Sequence, residues 1–123
     1  MFREDSVYRS LFSNMLNGLA YCRLVYEGEG EDDKKAVDFI YLMVNESFYR
    51  QTGLADVEGR RATEVTPGID ETDADLFEVF GRVVATGKAE CFERYVEALD
   101  MWFSISVYSP QAGHFVTIFD VIT

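Results

Sequence analysis

Histidine and cysteine, the side chains that most often supply a base or a nucleophile near neutral pH, occur at only three positions in this sequence. His114 follows a turn-like stretch, residues 109–113, and is expected to be an exposed turn residue rather than a catalytic base. Cys22 and Cys91 fall in predicted strands without C-x-x-C spacing, so each is expected to be a small buried apolar residue. No phosphate-loop, nucleophile-elbow or zinc-protease motif occurs. The sequence therefore predicts no enzymatic activity.

The carboxylates do not form a recognisable site either. The acidic, glycine-containing loop at residues 27–33 fits no calcium-binding pattern and is interpreted as solvated surface. The chain has 22 acidic and 11 basic residues, a net charge of -11, which repels phosphate backbones and anionic membranes. No apolar run approaches the roughly 18 residues of a membrane span. We expect no metal, no nucleic-acid partner, no direct membrane contact, and a cytoplasmic location with reduced thiols.

The elements that must position any site include three predicted strands at the end of the chain. Cys91–Leu99, Met101–Ser109 and His114–Ile122 are rich in β-branched and aromatic residues and are separated by short turns. Alternation along the middle strand predicts one apolar face, made of Met101, Phe103, Ile105 and Val107. A three-strand meander with one apolar face needs other elements packed on that face, and the preceding residues must supply them.

The N-terminal part of the chain predicts one helix and two strands. Residues 6–17 have the spacing of an amphipathic helix with a broad apolar stripe, made of Val7, Tyr8, Leu11, Phe12, Met15 and Leu16. A strand is predicted at Leu19–Tyr26. Val37–Val44 is a nearly continuous apolar run, which is typical of a central strand buried on both faces.

The middle of the chain is predicted to be helical and interrupted by glycines. Asn45 is a suitable N-cap and Gly53 a suitable left-handed stop, which predicts a short helix of about two turns between them. Breaks at Gly59 and at Pro67–Gly68 leave only short helical turns after it. A longer amphipathic helix is predicted from Asp73 to Thr86 and is the expected cover of the meander. Two strands, a helical middle and three strands make an α+β order.

This order of elements, and the residues at their joints, resemble the PAS domain family, the sensory modules of bacterial histidine kinases, diguanylate cyclases and other regulators. The resemblance runs from about Ser6 to Thr123. It rests on an N-x-x-F-x-x-x-x-G pattern, two turn motifs, a glycine after the long helix and the text of the last three strands, with the key residues Asn45, Phe48, Gly53, Gly59, Arg60, Glu64, Pro67, Gly68 and Gly87. It implies a five-stranded antiparallel sheet in the order 2-1-5-4-3, with short helices covering one face and an N-terminal flanking helix.

The resemblance also implies an organisation and a role. Residues 1–123 are expected to be a single PAS-like sensor domain, with a flanking helix at 1–17 and a core at 18–123. Such a module is non-catalytic: it senses a signal, contacts other proteins and relays the signal to an output domain of the parent signalling protein. Family members commonly end in Asp-Ile-Thr or Asp-Val-Thr. Here the matching residues are Asp120 and Thr123, one position further apart than in that pattern, and both are expected to take part in the relay.

Two cofactors of the family find no matching residues here. Haem-binding members carry their ligand on the long helix, and residues 73–86 contain no histidine. Light-oxygen-voltage members have a cysteine just after the Gly-Arg turn, where this chain has Arg61 and Ala62. Neither haem nor that flavin photochemistry is therefore expected, and the identity of any cofactor stays unknown.

A ligand pocket between the sheet and the helices is a further expectation. Strand alternation and the helix stripe place nine residues there, namely Phe77, Phe80, Val84, Phe103, Ile105, Val107, Phe115, Thr117 and Phe119. Tyr49, Arg94 and Tyr95 are candidate rim groups. Two interpretations stay open. Either the aromatic side chains fill the space completely, or the pocket binds a small and largely apolar ligand.

The assembly expected from the sequence is a homodimer through the N-terminal helix. The interface residues would be Val7, Tyr8, Leu11, Phe12 and Met15, supported by an outer sheet face with Trp102, Tyr108, Val116 and Ile118. Two alternatives remain from other classes of protein. One is a small α+β enzyme of the ketosteroid-isomerase kind, and the other is a purely structural dimerisation domain.

Overall fold

The computed structural model of the 123-residue chain describes residues 7, 10–12, 15–27 and 35–122. After the helical residues 7 and 10–12 come two strands, then four helices and then three strands. In order they are β1 Gly18–Glu27, β2 Lys35–Val44, α1 Glu46–Thr52, α2 Ala62–Val65, α3 Ile69–Thr72, α4 Ala74–Thr86, β3 Glu90–Val96, β4 Met101–Tyr108 and β5 His114–Ile122. The α+β order predicted from the sequence is confirmed.

The five strands form one sheet in the order β2-β1-β5-β4-β3, with every neighbouring pair antiparallel. The four helices lie between β2 and β3 in the chain, so the last strand returns to the sheet centre and pairs with β1. The predicted strand order is confirmed. This arrangement differs from the isomerase-like alternative, whose helices mostly precede its sheet.

The prediction that the apolar run Val37–Val44 is a central strand is wrong, because β2 lies at the edge of the sheet. Its free edge is nevertheless covered by the chain that follows α1. Tyr41 N donates to Arg60 O at 3.1 Å, and Gly59 N donates to Tyr41 O at 2.7 Å. Since this covering segment pairs with β2 as a further strand would, an edge strand can be as apolar as a central one.

The ends of α1 are defined by the two residues expected from the sequence. Asn45 Oδ1 accepts from Phe48 N at 3.0 Å, the hydrogen bond of an N-cap. Gly53 ends the helix with φ at 76°, a left-handed conformation that glycine adopts without steric strain. The predicted boundaries of this helix are confirmed.

The long helix α4 covers the inner face of the sheet. Its buried residues are Leu76, Phe77, Phe80 and Val83, and Gly87 closes it with φ at 73°. The helix begins at Ala74 and not at Asp73, because Asp73 has a non-helical backbone with φ at -125° and ψ at 39°. The Asp73 carboxylate accepts hydrogen bonds from the β3–β4 turn. Among the described residues, no helix has the length and apolar character needed to cross a bilayer.

The core between helices and sheet is largely aromatic. The rings of Phe80 and Phe115 stack with centroids 4.4 Å apart. Phe39 lies edge-on to both of them, at 5.6 and 5.4 Å. Such edge-to-face and stacked pairs pack densely and fix the distance between α4 and the sheet.

The N-terminal helix ends earlier than predicted. Residues 7 and 10–12 are helical, whereas Met15, Leu16 and Asn17 are not, and β1 begins directly after them at Gly18. Side chains of Asn45, Ser47 and Gln51 donate hydrogen bonds to the backbone carbonyls of this stretch. These bonds favour a non-helical conformation there. Tyr8 of the predicted stripe lies outside the described residues.

Two burial predictions and one strand boundary need correction. Cys91 is exposed, because it lies on the outward face of the edge strand β3. Strand β3 ends at Val96 and not at Leu99, since the chain turns there toward β4. Val116, expected on the exposed outer face, is buried between its cross-strand neighbours Tyr21 and Tyr108 on the two flanking strands.

Candidate functional site

A pocket of about 90 Å³ lies between the inner face of the sheet and the helices. Six of the nine residues expected to form a ligand pocket line it, namely Phe80, Phe103, Ile105, Phe115, Thr117 and Phe119. All six are buried, and five of them come from the two strands β4 and β5. Alternation along these strands was therefore sufficient to predict this wall of the pocket.

The other three expected residues do not line the pocket. Phe77 and Val84 lie seven positions apart on α4 and share a helix face next to the one that carries Leu76 and Phe80, which do line it. Phe77 instead lines a surface groove beside β2. Val107 is buried in the core without reaching the pocket.

Sequence reasoning missed the wall formed by the first two strands and α1. Ala20 and Cys22 on β1, Phe39 and Tyr41 on β2 and Phe48 on α1 all line the pocket. The alternation of buried residues along β1 was visible in the sequence as small residues at every second position. We did not predict it because short apolar strands show only a weak periodic signal.

None of the three candidate rim groups lines the pocket. The Tyr49 side chain is exposed on α1. Arg94 forms ion pairs with Asp73 and Asp75, and the Tyr95 hydroxyl donates to Asp100. The lining residues nearest to solvent are instead the half-buried Thr52, Leu54 and Leu99. The pocket lining is thus nearest to solvent between the end of α1 and the β3–β4 turn.

The pocket is uncharged. No Asp, Glu, Lys or Arg of the described chain lines it. Burial raises the pKa of the Cys22 thiol well above its usual range. Burial also raises the pKa of Tyr41, and the nearby Cys22 and Asp38 add to that effect. Both groups are therefore protonated and neutral near pH 7. His114 lies away from the pocket, where its ring stacks on Tyr21 at 5.6 Å.

The expected relay residue Asp120 lies at a joint between three parts of the chain. Its Oδ1 accepts from Gln51 Nε2 of α1 at 3.2 Å, and its Oδ2 accepts from the Asn17 side-chain amide. The next residue, Val121, donates its N–H to Gln51 Oε1 at 2.7 Å. The end of β5 is thus bonded to α1 and to the segment before β1. Thr123 lies outside the described residues.

The same region of α1 holds the N-terminal segment, which we define as residues 7, 10–12 and 15–17. Ser47 Oγ donates to Met15 O at 2.6 Å, and Gln51 Nε2 donates to Leu16 O at 3.0 Å. Asn45 Nδ2 donates to Asn17 O at 2.9 Å and to Phe12 O at 3.3 Å. Phe12 is the last helical residue described and residues 15–17 are not helical, so these side chains supply donors to carbonyls at and after the end of the helical stretch. Of the expected interface residues, Leu11 is exposed, while Val7, Phe12 and Met15 are half-buried.

Comparison with protein families finds no matching family model, and comparison with curated proteins finds no match. Solved structures share the architecture. An RNA-binding light-oxygen-voltage receptor matches with a TM-score of 0.64 at 13% identity, over 98% of this chain and 33% of that chain. A domain of an HTR-like protein from Haloarcula marismortui matches with a TM-score of 0.61 at 17% identity, over 89% of this chain and 100% of that one. The chain has the PAS fold.

A third PAS-fold neighbour is a domain of the sensory box sensor histidine kinase/response regulator from Geobacter sulfurreducens. It matches with a TM-score of 0.53 at 20% identity, over 94% of this chain and 92% of that chain. The chain thus spans 33% of the receptor and nearly all of the two isolated domains. The predicted PAS fold is confirmed, and at these identities the similarity establishes the fold alone.

The PAS-fold pocket of this chain does not fit haem or a flavin ring. Its volume of about 90 Å³ is smaller than the roughly 150 Å³ cavity that accepts benzene. No histidine lines it within the described part of the chain. The Gly59–Ala62 stretch lacks a cysteine, and part of it covers the edge of β2. The cysteine that does line the pocket, Cys22, is on β1.

A second polar cluster joins α4 to the β3–β4 turn. Asp73 is fully buried and accepts from Glu97 N and Ala98 N at 3.0 Å each and from Arg94 at 3.1 Å. Burial alone would raise the pKa of Asp73, but hydrogen bonds from Ala98, Thr72, Arg94 and Glu97 outweigh it and lower that pKa. No group of three His, Cys, Asp or Glu side chains suited to a metal ion occurs in the described residues. The cluster fixes the β3–β4 turn on α4.

Proposed function

We propose that this chain is a non-catalytic sensory and protein-interaction module of a signal-transduction protein. In this proposal a small, largely apolar ligand binds between the sheet and the helices, and the response passes through the end of β5 to an output domain of the parent protein. The observation that carries the proposal is the position of β5. This strand both lines the pocket and ends at the joint with α1 and the N-terminal segment.

The pocket and that joint are formed by neighbouring residues of β5. Phe119 lines the pocket from the inner face of β5, and Asp120 is the next residue along the same strand. A shift of the Phe119 ring therefore moves the backbone that carries the Asp120 carboxylate. Gln51 and Asn17 hold that carboxylate, so its displacement reaches α1 and the N-terminal segment together. A relay needs such an element, one whose position a ligand and an output domain can both bias.

The remaining parts of the proposal concern assembly and location. We place the module in the cytoplasm, as a homodimer formed through the N-terminal segment and the outer sheet face. Leu11 and Leu16 of that segment are 60% and 83% exposed, which is a large apolar surface for a segment that is also bonded to the core. Residues 18–123 form the sensing core in this proposal, and Asp120 and Thr123 relay the signal toward the output domain.

A fusion protein tests the sensing role. The full chain is joined to the dimerisation and catalytic core of a histidine kinase, and autophosphorylation is measured. Ala20→Val adds two methyl groups in the pocket wall, whereas Ala89→Val adds the same groups at an exposed position between α4 and β3. We expect Ala20→Val to change kinase activity severalfold and Ala89→Val to leave it unchanged. Equal activities of all three fusions would contradict the proposal.

A purely structural dimerisation module is the second candidate. The close packing of the Phe39, Phe80 and Phe115 rings favours it, because a core filled by side chains needs no ligand. The same fusion separates the two functions. For a structural module, Ala20→Val leaves kinase activity unchanged, whereas Leu11→Glu disrupts dimerisation and lowers kinase activity. For a sensor, the pocket variant alters activity as well.

A further inference from the structure

The shape of the pocket follows from small residues on β1. Gly18, Ala20 and Cys22 occupy the inward-facing positions of that strand and are buried. Ala20 and Cys22 line the pocket, whereas the Phe119 ring fills the space beside Gly18. Cys22 pairs with Tyr41 on one side and with Phe115 on the other, and Ala20 pairs with Thr117. Tyr41 and Thr117 therefore stand on the two strands that flank the small residues. Each of their side chains borders space that a larger residue on β1 would fill.

The hydroxyl groups of Tyr41 and Thr117 have no hydrogen-bond partner among the described residues, although both side chains line the pocket. Tyr41 is 6% exposed and Thr117 is 8% exposed. Buried polar groups in folded proteins nearly always have a partner. Neither hydroxyl oxygen is among the fully enclosed, unpartnered side-chain atoms of the described chain, so both oxygens can be reached from the pocket. These two hydroxyls are therefore the polar groups through which the pocket can bind.

The other buried polar side chains of the described chain show the contrast. Asp38 accepts from Thr63, Asn45 caps α1, Ser47 donates to Met15 O, and Asp73 holds the β3–β4 turn. A third hydroxyl that lines the pocket is also satisfied, since Thr52 Oγ1 donates to Phe48 O at 2.7 Å. Thr66 Oγ1 and Arg94 Nε are also buried without a partner in the described chain, but neither residue lines the pocket. The Tyr41 and Thr117 hydroxyls are therefore the unpartnered hydroxyls that border the pocket.

The chemistry of the walls restricts what can bind between them. The walls are apolar and carry no charge, and the Tyr41 phenol remains protonated because burial raises its pKa. A charged ligand would lose its hydration there without gaining an ionic partner. The volume of about 90 Å³ is below that of a benzene-sized cavity of roughly 150 Å³. The ligand must therefore be neutral and small, and an oxygen atom is the group through which it can engage a hydroxyl of the wall.

We propose that the pocket binds an uncharged molecule of a few carbon atoms that carries one carbonyl or hydroxyl oxygen, and that the Tyr41 and Thr117 hydroxyls hydrogen-bond this oxygen. Short-chain ketones, aldehydes and alcohols form this class. The proposal deepens the sensing function proposed above and rests on it for its biological meaning. The binding itself is a property of the isolated chain and is tested there.

The test compares acetone with isobutene, which has the same shape but a methylene group in place of the oxygen. Both probes are titrated into the isotope-labelled full chain, and binding is followed by the NMR shifts of backbone amides on β1, β2 and β5. We expect acetone to bind about tenfold more tightly than isobutene. Tyr41→Phe and Thr117→Val should each reduce that preference to about threefold or less, with isobutene affinity unchanged.

Thr52→Val is the matched control. It also removes a hydroxyl from the pocket lining, but one that is already bonded to Phe48 O. This variant should lose thermal stability and keep the preference for acetone. Tyr41→Phe and Thr117→Val, in contrast, should melt at or above the wild-type temperature, because they remove buried hydroxyls that lack partners.

Several results would overturn the proposal. They are equal affinity for the two probes, a preference that survives in both hydroxyl variants, no binding of either probe, or a loss of stability in both Tyr41→Phe and Thr117→Val. A failure of the sensing role alone would give a different set of results. In that case the chain binds acetone as expected, and acetone leaves the activity of the kinase fusion unchanged.

Discussion

Gln51 on α1 and Val121 near the end of β5 are joined by a hydrogen bond of 2.7 Å, in which the Val121 N–H donates to Gln51 Oε1. The amide nitrogen of the same side chain donates to Asp120 Oδ1 and to Leu16 O. One half-buried glutamine thus connects a helix, the last strand and the N-terminal segment. In the proposed relay, a displacement of Asp120 on β5 would reach Gln51 and Asn17 together.

Replacing Gln51 by alanine should release the end of β5. The variant loses the acceptor for Val121 N and both donors, so we expect the Val121 amide to exchange with deuterium at least tenfold faster, and unfolding free energy to fall by about 1–2 kcal/mol. Gln111→Ala is the control, since Gln111 bonds only to the Tyr21 hydroxyl through its side chain at an exposed turn. Unchanged exchange at Val121 would show that the glutamine does not hold the strand.

Asn45 should be one of the most sensitive polar positions of the chain. Its Oδ1 accepts from Leu19 N and Phe48 N at 3.0 Å each, and its Nδ2 donates to Asn17 O. Because Asn45 is buried, Asn45→Ala leaves these groups without partners, and we expect a loss of about 3 kcal/mol in a chemical denaturation experiment.

Two further variants test the reason for that loss. Asn45→Asp keeps the acceptor for Leu19 N and Phe48 N but places a carboxylate against Asn17 O, so its stability should lie between wild type and Asn45→Ala. Gly53→Val should also destabilise, because its φ of 76° disfavours a β-branched residue even though no atom lies within 4 Å of an added Cβ. A wild-type melting point for both Asn45→Ala and Gly53→Val would contradict the role assigned to this helix.

The Asp73 cluster predicts how stability depends on pH. Burial disfavours the charged carboxylate, but hydrogen bonds from Ala98, Thr72, Arg94 and Glu97 outweigh that effect and lower the pKa of Asp73 in the folded state. A lowered folded-state pKa adds stability above the unfolded-state pKa of about 3.9, and this stability is lost as the pH falls through the folded-state value. The wild type should therefore lose stability as the pH is lowered below about 4.

Urea denaturation of the wild type and Asp73→Asn from pH 7 to pH 3 measures this effect. The variant cannot ionise at this position, so the difference in stability between the two proteins should be largest at pH 7 and shrink toward pH 3. Asp75→Asn is the control, because the Asp75 side chain is 59% exposed and shares only the partner Arg94. A stability difference independent of pH would show that the ionisation of Asp73 does not contribute.

The sequence was most informative where local chemistry decides the structure. Asn45 and Gly53 define α1 through hydrogen bonds and backbone conformation that depend on those residues themselves. Alternation on β4 and β5 also predicted the pocket residues Phe103, Ile105 and Phe115, because a strand has the same period wherever it lies in the sheet.

Prediction failed where the outcome depends on distant parts of the chain. The edge position of β2 is compatible with its apolar sequence only because residues 57–61 cover that edge. No local sequence pattern predicts that these residues pair with β2. Phe77 and Phe80 both lie on the apolar side of α4, and only the packing of the helix decides which of them reaches the pocket. Cys91 was expected to be buried, and the edge position of β3 left it exposed.

The last prediction concerns the proposed homodimer. Leu11 and Leu16 are exposed on the N-terminal segment, and Trp102 and Tyr108 are 53% and 42% exposed on the outer sheet face. Met15 is less suitable for a test, because it is half-buried and its carbonyl accepts from Ser47.

Leu11→Glu combined with Leu16→Glu should convert the dimer to a monomer in sedimentation velocity, since two charges in an apolar interface lose hydration without gaining partners. The circular dichroism spectrum should stay close to that of the wild type, because neither side chain is buried in the chain itself. Tyr49→Glu, at another exposed apolar residue on α1, should leave the dimer intact. A wild type that is already monomeric at high micromolar concentration, or a double variant that unfolds, would rule out this interface.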